Sequence, residues 1–184
     1  MSFRRHGGEV DLVAAGLLIL RLVIGLIMAA HGAQKVFGWW GGSGMTNWTG
    51  AMTRMRIRPP VAWAWISALG ELLGGLGLAV GLLMPLPNLA IAGSMLVAIA
   101  LVHWPKGFWN SKGGYEFNLS ILAAVTALAF TGPGAESLDA VLGIHLPEPA
   151  TLIVGTIALL AGVGVALGNR APAPAAASKP QTTS

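Results

Sequence analysis

Cysteine is absent from this 184-residue chain, and charged residues are scarce, at 10% of the total. The absence of cysteine excludes disulfide bonds, thiol redox relays, cysteine-ligated iron–sulfur clusters and thiolate nucleophiles. Any redox role therefore needs a bound cofactor or a partner. Soluble domains carry about 25% charged residues, so this chain cannot cover a soluble surface, and 54% of its residues are hydrophobic. The composition indicates an integral membrane protein surrounded by lipid.

The sequence also lacks the features of nucleic-acid and phosphate recognition. Its 11 basic and 7 acidic residues are too few and too scattered to form a nucleic-acid-binding surface. No glycine-rich phosphate-binding loop is present, because the glycines lie inside apolar runs, where they indicate helix packing. We therefore expect no nucleic-acid partner.

Five apolar runs predict an all-α fold, a polytopic bundle of membrane-spanning helices. The predicted spans are Leu12–Ala33, Val61–Met84, Leu89–His103, Gly114–Phe130 and Thr151–Leu167. The first four form a predicted four-helix core over residues 12–131, and residues 151–168 form a fifth, C-terminal transmembrane helix. The remaining segments are an N-terminal segment (1–11), an acidic loop (132–150) and a tail (169–184) whose composition predicts disorder.

An interfacial segment interrupts the core at about residues 38–60. Its tryptophans suit the headgroup region and its arginines suit anionic lipid. We predict a short interfacial helix near Met45–Met55, whose simplest interpretation is a connector lying on the membrane surface.

The distribution of positive charge predicts the orientation of the chain. The loops after the first and third spans are basic, whereas the acidic loop holds Glu136, Asp139 and Glu148 and no Lys or Arg. With five spans, this pattern predicts a multi-pass protein of the cell membrane, with the N-terminus outside and the C-terminus in the cytoplasm. Arg4 and Arg5 favour the opposite orientation.

Two charged residues lie inside apolar spans. Arg21 lies about nine residues into the first span and Glu71 about ten into the second, so at about 1.5 Å per residue both are placed near the midplane. An unpaired charge at that depth costs about 3 kcal/mol on insertion scales. An ion pair between antiparallel neighbours would offset much of this cost. We predict such a pair between Arg21 and Glu71, either as a lock on helix register or as part of a functional site.

Glycines accompany both charges. Gly25 and Gly32 lie on the face of the arginine, and Gly74 and Gly75 follow the glutamate. Small residues let another helix approach closely. These four are therefore predicted helix-packing glycines, and the two charges are predicted to face the bundle interior.

A polar funnel is predicted at one end of the bundle, with the ion pair at its bottom. The start of the fourth span, GGYEFNLS, lies on the same side of the membrane as the end of the first span. The candidate ligand-binding residues are His31, Lys35, Tyr115, Glu116 and Asn118. Ordinary interfacial anchoring is the alternative explanation for the lysine.

Two histidines offer a further alternative. His31 and His103 could be axial ligands of a haem, but no spacing rule requires this role. We assign no metal site, and a quinone is a better candidate cofactor than haem.

The pattern as a whole resembles the DoxX family of small membrane proteins, including its DoxX-like and DoxD-like members. The residues that carry the resemblance are Arg21 followed by HGAQK, then GELLGG at 70–75 and GGYE at 113–116, over about Leu12–Phe130. The resemblance implies a four-helix membrane bundle linked to redox complexes. Examples are a quinone-reducing thiosulfate oxidoreductase in some archaea and a complex for thiol and oxidative stress in mycobacteria. The fifth span and the Pro/Ala-rich tail depart from this pattern.

The leading hypothesis is a DoxX-like subunit of a membrane redox complex that binds a quinone or another small amphipathic molecule in the funnel. An oxidoreductase role follows from the resemblance alone. Lys35 or His31 would hydrogen-bond a carbonyl oxygen, Tyr115 would stack or donate, and Glu116 would relay protons. The alternatives are a non-catalytic anchor or assembly factor for soluble redox partners, and a carrier of a small solute or protons. A homo- or hetero-oligomer is expected.

Overall fold

The computed structural model describes residues 11–172, which form helices and contain no strand. Residues 1–10 of the predicted N-terminal segment and residues 173–184 of the predicted tail lie outside the described residues. The helices are α1 (Leu12–Phe37), α2 (Gly44–Arg54), α3 (Pro60–Val80), α4 (Leu86–Ala98), α5 (Glu116–Thr131), α6 (Leu138–Leu142) and α7 (Ala150–Gly168). The predicted all-α membrane bundle is confirmed.

Four stretches of the described chain are long and apolar enough to cross a membrane. They are α1, α3, Leu86–Lys106 and α7. The third stretch is α4 with its continuation through one wider and one tighter helical turn. The predicted fourth span is α5, whose 16 residues measure about 24 Å at 1.5 Å per residue, less than the hydrocarbon thickness of about 30 Å. The protein is membrane-embedded, and α5 packs against α4 and α1 on one face, through its buried Ile121, Val125 and Leu128.

Local signals set the ends of α1 and α3. The Asp11 carboxylate accepts hydrogen bonds from the backbone N–H groups of Val13 (3.0 Å) and Ala14 (3.2 Å), which caps the start of α1. α1 ends at Gly38, whose φ of 74° is left-handed and suits glycine. Pro60 opens α3 at a position where its missing N–H costs little. α1 thus runs four residues beyond the predicted end of the first span, and Lys35 lies inside the helix.

α1 and α3 pack against each other with their backbones in close approach. A Cβ atom on Gly25 would lie 2.6 Å from the backbone nitrogen of Ala79, and side chains on Gly32 and Gly75 would overlap the facing backbone as well. Glycine permits this approach because it has no side chain. Gly74 points elsewhere, towards α4, where a Cβ would meet the Ile91 side chain at 3.4 Å.

Within the described residues, two apolar cores pack the helices α1 to α5 together. The larger core joins α1, α3, α4 and α5 and contains Met28, Leu78, Ile91 and Leu128. The smaller core packs Met52 of α2 against the start of α3. The helix α7 lies outside the larger core, and its Leu159 side chain packs beside Gly93 of α4.

Candidate functional site

One buried charge, Arg21, lies at the end of the bundle where α3 turns into α4. Its side chain has no solvent exposure. The guanidinium donates hydrogen bonds to the carbonyl oxygens of Pro133 and Glu136, which belong to the loop between α5 and α6. It also lies directly against Gly81, where a side chain would overlap it. Arg21 therefore ties α1 to two connecting segments.

A buried carboxylate completes this arginine cluster. Asp139 accepts hydrogen bonds from the backbone N–H groups of Leu83 (2.8 Å) and Met84 (2.9 Å). Its own N–H donates to the carbonyl oxygen of Gly81 at 3.0 Å. Hydrogen bonds to a carboxylate are stronger than those between neutral groups. Because the protein itself occupies most of its polar atoms, the arginine cluster is a tie between loops and not an open binding site.

The predicted ion pair between Arg21 and Glu71 is wrong, because the register of α1 against α3 keeps the two charges apart. Gly25 faces Ala79 and Gly32 faces Leu72. The two helices are therefore antiparallel, and each residue further along α1 faces one residue earlier on α3. Extended to Arg21, this register reaches residue 83, beyond the end of α3. Glu71 lies about 12 residues (71 to 83), or about 18 Å, below that level. Both charges nevertheless face the interior, with 0% and 2% exposure.

The partners of Glu71 are Lys35 and Ser94. One carboxylate oxygen, Oε2, accepts from the Nζ of Lys35 on α1, and the other, Oε1, accepts from the Ser94 hydroxyl on α4. The Glu71 side chain is 3% exposed and that of Lys35 is 17% exposed. The Lys35 ammonium and the Glu71 carboxylate therefore neutralise each other at a place where little solvent reaches them.

The helix α2 covers this ion pair with an aromatic ring. The Lys35 Nζ atom lies 4.4 Å from the centre of the Trp48 ring, within the range of a cation–π interaction. The Trp48 indole N–H donates to the Ser67 hydroxyl of α3 at 2.9 Å, and that hydroxyl donates to the Ala64 carbonyl at 3.1 Å. Lys35 is thus held between a carboxylate and an aromatic face.

A cavity of about 420 Å³ adjoins the ion pair, between α2, α3, α4 and α7. Its polar lining includes Lys35, Trp48, Ser67, Glu71 and Ser94. The helix α7 forms one wall with small and aliphatic side chains only: Gly155, Ala158, Leu159, Gly162, Val163 and Ala166. The cavity is therefore apolar along its walls and polar where Lys35 and Glu71 meet.

The predicted funnel residues do not come together, and Lys35 alone among the five lines the cavity. Tyr115 stacks on Trp104, with ring centres 5.2 Å apart. Glu116 accepts a hydrogen bond from the backbone N–H of Asn110 at 3.0 Å and so holds the loop before α5. Tyr115 and Glu116 therefore order a surface loop at the α2 end of the bundle.

The other two funnel candidates lie between α1, α4 and α5. His31 is exposed, and its ring packs against Phe117 with centres 5.9 Å apart. Asn118 is buried, and its amide donates to the Met95 sulfur at 3.4 Å. Neither side chain reaches the Lys35–Glu71 pair, because the two candidates lie on the α5 side of the bundle and the cavity lies on the α7 side.

The two histidines weighed as haem ligands have separate surroundings. His103 donates from Nδ1 to the carbonyl oxygen of Gly113 at 2.7 Å, next to the loop before α5. Over residues 11–172, no group of three or more His, Asp or Glu side chains is arranged to hold a metal ion.

Sequence reasoning missed three polar residues of the cavity. Ser67 lies one helical turn before Glu71 and on the same face, which is a signal the sequence did contain. Ser94 is a single hydroxyl in an apolar run, where serine more often bonds its own backbone. Trp48 was assigned to the headgroup region, and its contact with Lys35 depends on how α2 folds back over α3.

Comparison with known proteins identifies the first part of the bundle. The DoxX family model matches residues 16–104, which run from α1 to the end of the α4 continuation. The match contains Arg21, Lys35, Glu71 and Ser94, whereas α5, α6 and α7 lie beyond it. Comparison with curated proteins and with solved structures gave no match.

Proposed function

We propose, from the premise that this chain belongs to the DoxX family, that it is a subunit of a membrane redox complex. In this proposal it binds a quinone or another small amphipathic molecule in the cavity beside Lys35 and Glu71. The observation that carries the proposal is the form of that cavity, whose apolar walls end at one polar cluster. Small-molecule sites commonly have this form, with a few polar groups that fix the ligand's orientation.

The dimensions and chemistry of the cavity suit such a ligand. Its volume of about 420 Å³ lies within the 300–1,000 Å³ typical of small-molecule sites. An ammonium group has three N–H donors, and one donor of Lys35 is used by Glu71. A second donor is available for a ligand carbonyl, while an apolar ring or chain packs against Ile66, Val97 and Leu159.

The redox part of the proposal rests on the family. Because the chain has no cysteine, it cannot pass electrons through thiols. A partner subunit would supply the electrons. We assign this chain the binding and positioning of the amphipathic molecule, and we assign electron transfer to the complex it joins, as a homo- or hetero-oligomer.

Fluorescence quenching tests the binding site with a matched pair of variants. Trp48 and Trp63 line the cavity, so a short-chain quinone analogue should quench tryptophan emission of the purified protein. Gly162→Leu places a side chain in open space inside the cavity, whereas Gly164→Leu adds the same side chain on the same helix outside the lining. We expect at least tenfold weaker binding for Gly162→Leu and unchanged binding for Gly164→Leu. Equal quenching in all three proteins would remove the proposed site.

We further propose that the end carrying α2 faces the cytoplasm of the cell membrane. Apart from Lys35 in the ion pair, the described cations of this end are Arg54, Arg56, Arg58, Lys106, Lys112 and Arg170, with one acidic residue, Glu116. The opposite end carries Asp11, Glu136, Asp139 and Glu148, with one buried cation, Arg21. Positive charge favours the cytoplasmic side. Because the chain lacks cysteine, Ser43→Cys and Ala135→Cys each give a single label site, and an impermeant maleimide on intact cells should label only Ala135→Cys.

A second candidate function, an anchor that recruits soluble redox partners, is supported by the same basic end. Arg54 and Arg58 are exposed there. If this function is the main one, reversing both charges should abolish co-purification of soluble partners without weakening quinone binding. The carrier alternative has less support, because the apolar core around Met28 and Leu78 separates the Arg21 and Glu71 clusters.

A further inference from the structure

We infer that the cavity selects ligands with an uncharged head group and that Glu71 sets this selectivity. The inference rests on the proposed binding function and narrows its substrate class. It predicts that quinones, esters and other uncharged carbonyl compounds with apolar bodies bind, whereas anionic and cationic amphipathic molecules of the same length do not.

The charges that line the cavity carry the inference. Within residues 11–172, Lys35 and Glu71 are its only ionisable lining residues, and they form an ion pair with each other. The site therefore presents polar atoms without net charge. A second carboxylate would lie beside Glu71 and be repelled, and a second cation would meet Lys35, in surroundings that screen charge weakly.

The hydrogen bonds specify the head group further. Both carboxylate oxygens of Glu71 already accept, one from Lys35 and one from Ser94. Lys35 retains N–H donors, whereas the Ser94 hydroxyl uses its one hydrogen on Glu71. A ligand that accepts a hydrogen bond is therefore favoured, and a carbonyl group directed at Lys35 meets this requirement without breaking the ion pair.

The arrangement also explains why a lysine can lie beside an apolar ligand site. Without Glu71 the ammonium would be an unpaired cation in a mostly apolar cavity, and it would attract an anion from the bilayer. Removing the carboxylate charge should therefore convert the site from one for uncharged molecules to one for anionic molecules. Removing the lysine charge should shift the preference towards cations.

Three brominated probes of equal chain length test the inference, since bromine quenches tryptophan at short range. They are brominated methyl laurate, brominated dodecyl sulfonate and brominated dodecyltrimethylammonium, added to the full chain in nanodiscs and corrected for partition into lipid. Wild-type protein should bind the ester at least tenfold more tightly than either charged probe. Glu71→Gln should bind the sulfonate at least tenfold more tightly than wild type does.

Two further variants keep the test decisive. Glu116→Gln removes the same charge from a carboxylate outside the cavity, so it should retain the wild-type preference. Lys35→Gln should gain affinity for the ammonium probe, which keeps the inference falsifiable even if Glu71→Gln does not fold. Equal binding of all probes by wild type, or an unchanged preference in folded Glu71→Gln or Lys35→Gln, would overturn the charge selectivity. If neither the ester nor the quinone analogue quenches wild type, the binding function itself fails.

Discussion

A double-mutant cycle on Glu71 tests which cation it pairs with. The perturbations are Glu71→Gln, Lys35→Gln and Arg21→Gln, singly and in the two pairs that contain Glu71→Gln. Lys35 contacts the carboxylate, whereas the helix register places Arg21 about 18 Å away along the axis. Each cycle isolates the interaction of one cation with the carboxylate, because the other effects of the single changes cancel.

The expected coupling energies follow from Coulomb's law. At an effective dielectric constant of about 20, two charges about 4 Å apart interact by about 4 kcal/mol, and charges about 18 Å apart by about 1 kcal/mol. Relaxation in the variants reduces both, so we expect a coupling of about 2–3 kcal/mol for Lys35 with Glu71 and below about 0.5 kcal/mol for Arg21 with Glu71.

The assay is reversible unfolding in mixed micelles with increasing denaturing detergent, followed by the loss of helical circular dichroism. The reasoning is refuted if Arg21 and Glu71 couple as strongly as Lys35 and Glu71. A near-zero coupling for both pairs would likewise refute the assignment of Lys35 as the partner.

Two further predictions concern stability and use the same unfolding assay. Arg21→Lys should lower the unfolding free energy by about 2 kcal/mol, because one ammonium cannot reproduce both carbonyl hydrogen bonds of the guanidinium. The same change at the exposed Arg54 should alter the unfolding free energy little. Equal effects of the two changes would contradict the structural role assigned to Arg21. Gly25→Ala should cost about 1–3 kcal/mol through backbone overlap, whereas Gly70→Ala, which meets open space, should be neutral or stabilising by up to about 1 kcal/mol. Equal stability of these two variants would argue against close α1–α3 packing.

The sequence predicted the membrane bundle because long apolar runs with few charges are typical of membrane-spanning helices. It also predicted that Arg21 and Glu71 face inward, since lipid exposure of either charge would be costly. Both side chains are buried. These predictions depend on the residue type and its depth in a span, which the sequence states directly.

The partners of those charges could not be predicted, because partnership depends on helix register. The first span was predicted to end at Ala33, whereas α1 ends at Phe37. Four further residues lengthen a helix by about 6 Å, and the longer helix carries Lys35 on a turn that faces Glu71. Boundary errors of this size are ordinary when no partner helix is known.

The cavity could not be predicted from the sequence either, because its walls depend on which helix α7 packs against. A chain of 18 residues (132–149) separates α5 from α7, and so long a connection leaves the neighbour of α7 open. Contacts such as Gly155 against Leu89 fix α7 against α4. The funnel prediction failed for a related reason, because residues at the same depth need not share a face.

Photoaffinity labelling tests the central claim, that an amphipathic molecule binds beside Lys35 and Glu71, most directly. An azidoquinone probe is irradiated with the reconstituted protein, and the modified residues are identified by mass spectrometry with and without excess quinone. We expect displaceable labels on cavity residues such as Ser94, Val97 and Gly162. Labels confined to exposed, lipid-facing residues such as Leu73 and Leu76, or labels that excess quinone does not displace, would contradict the claim.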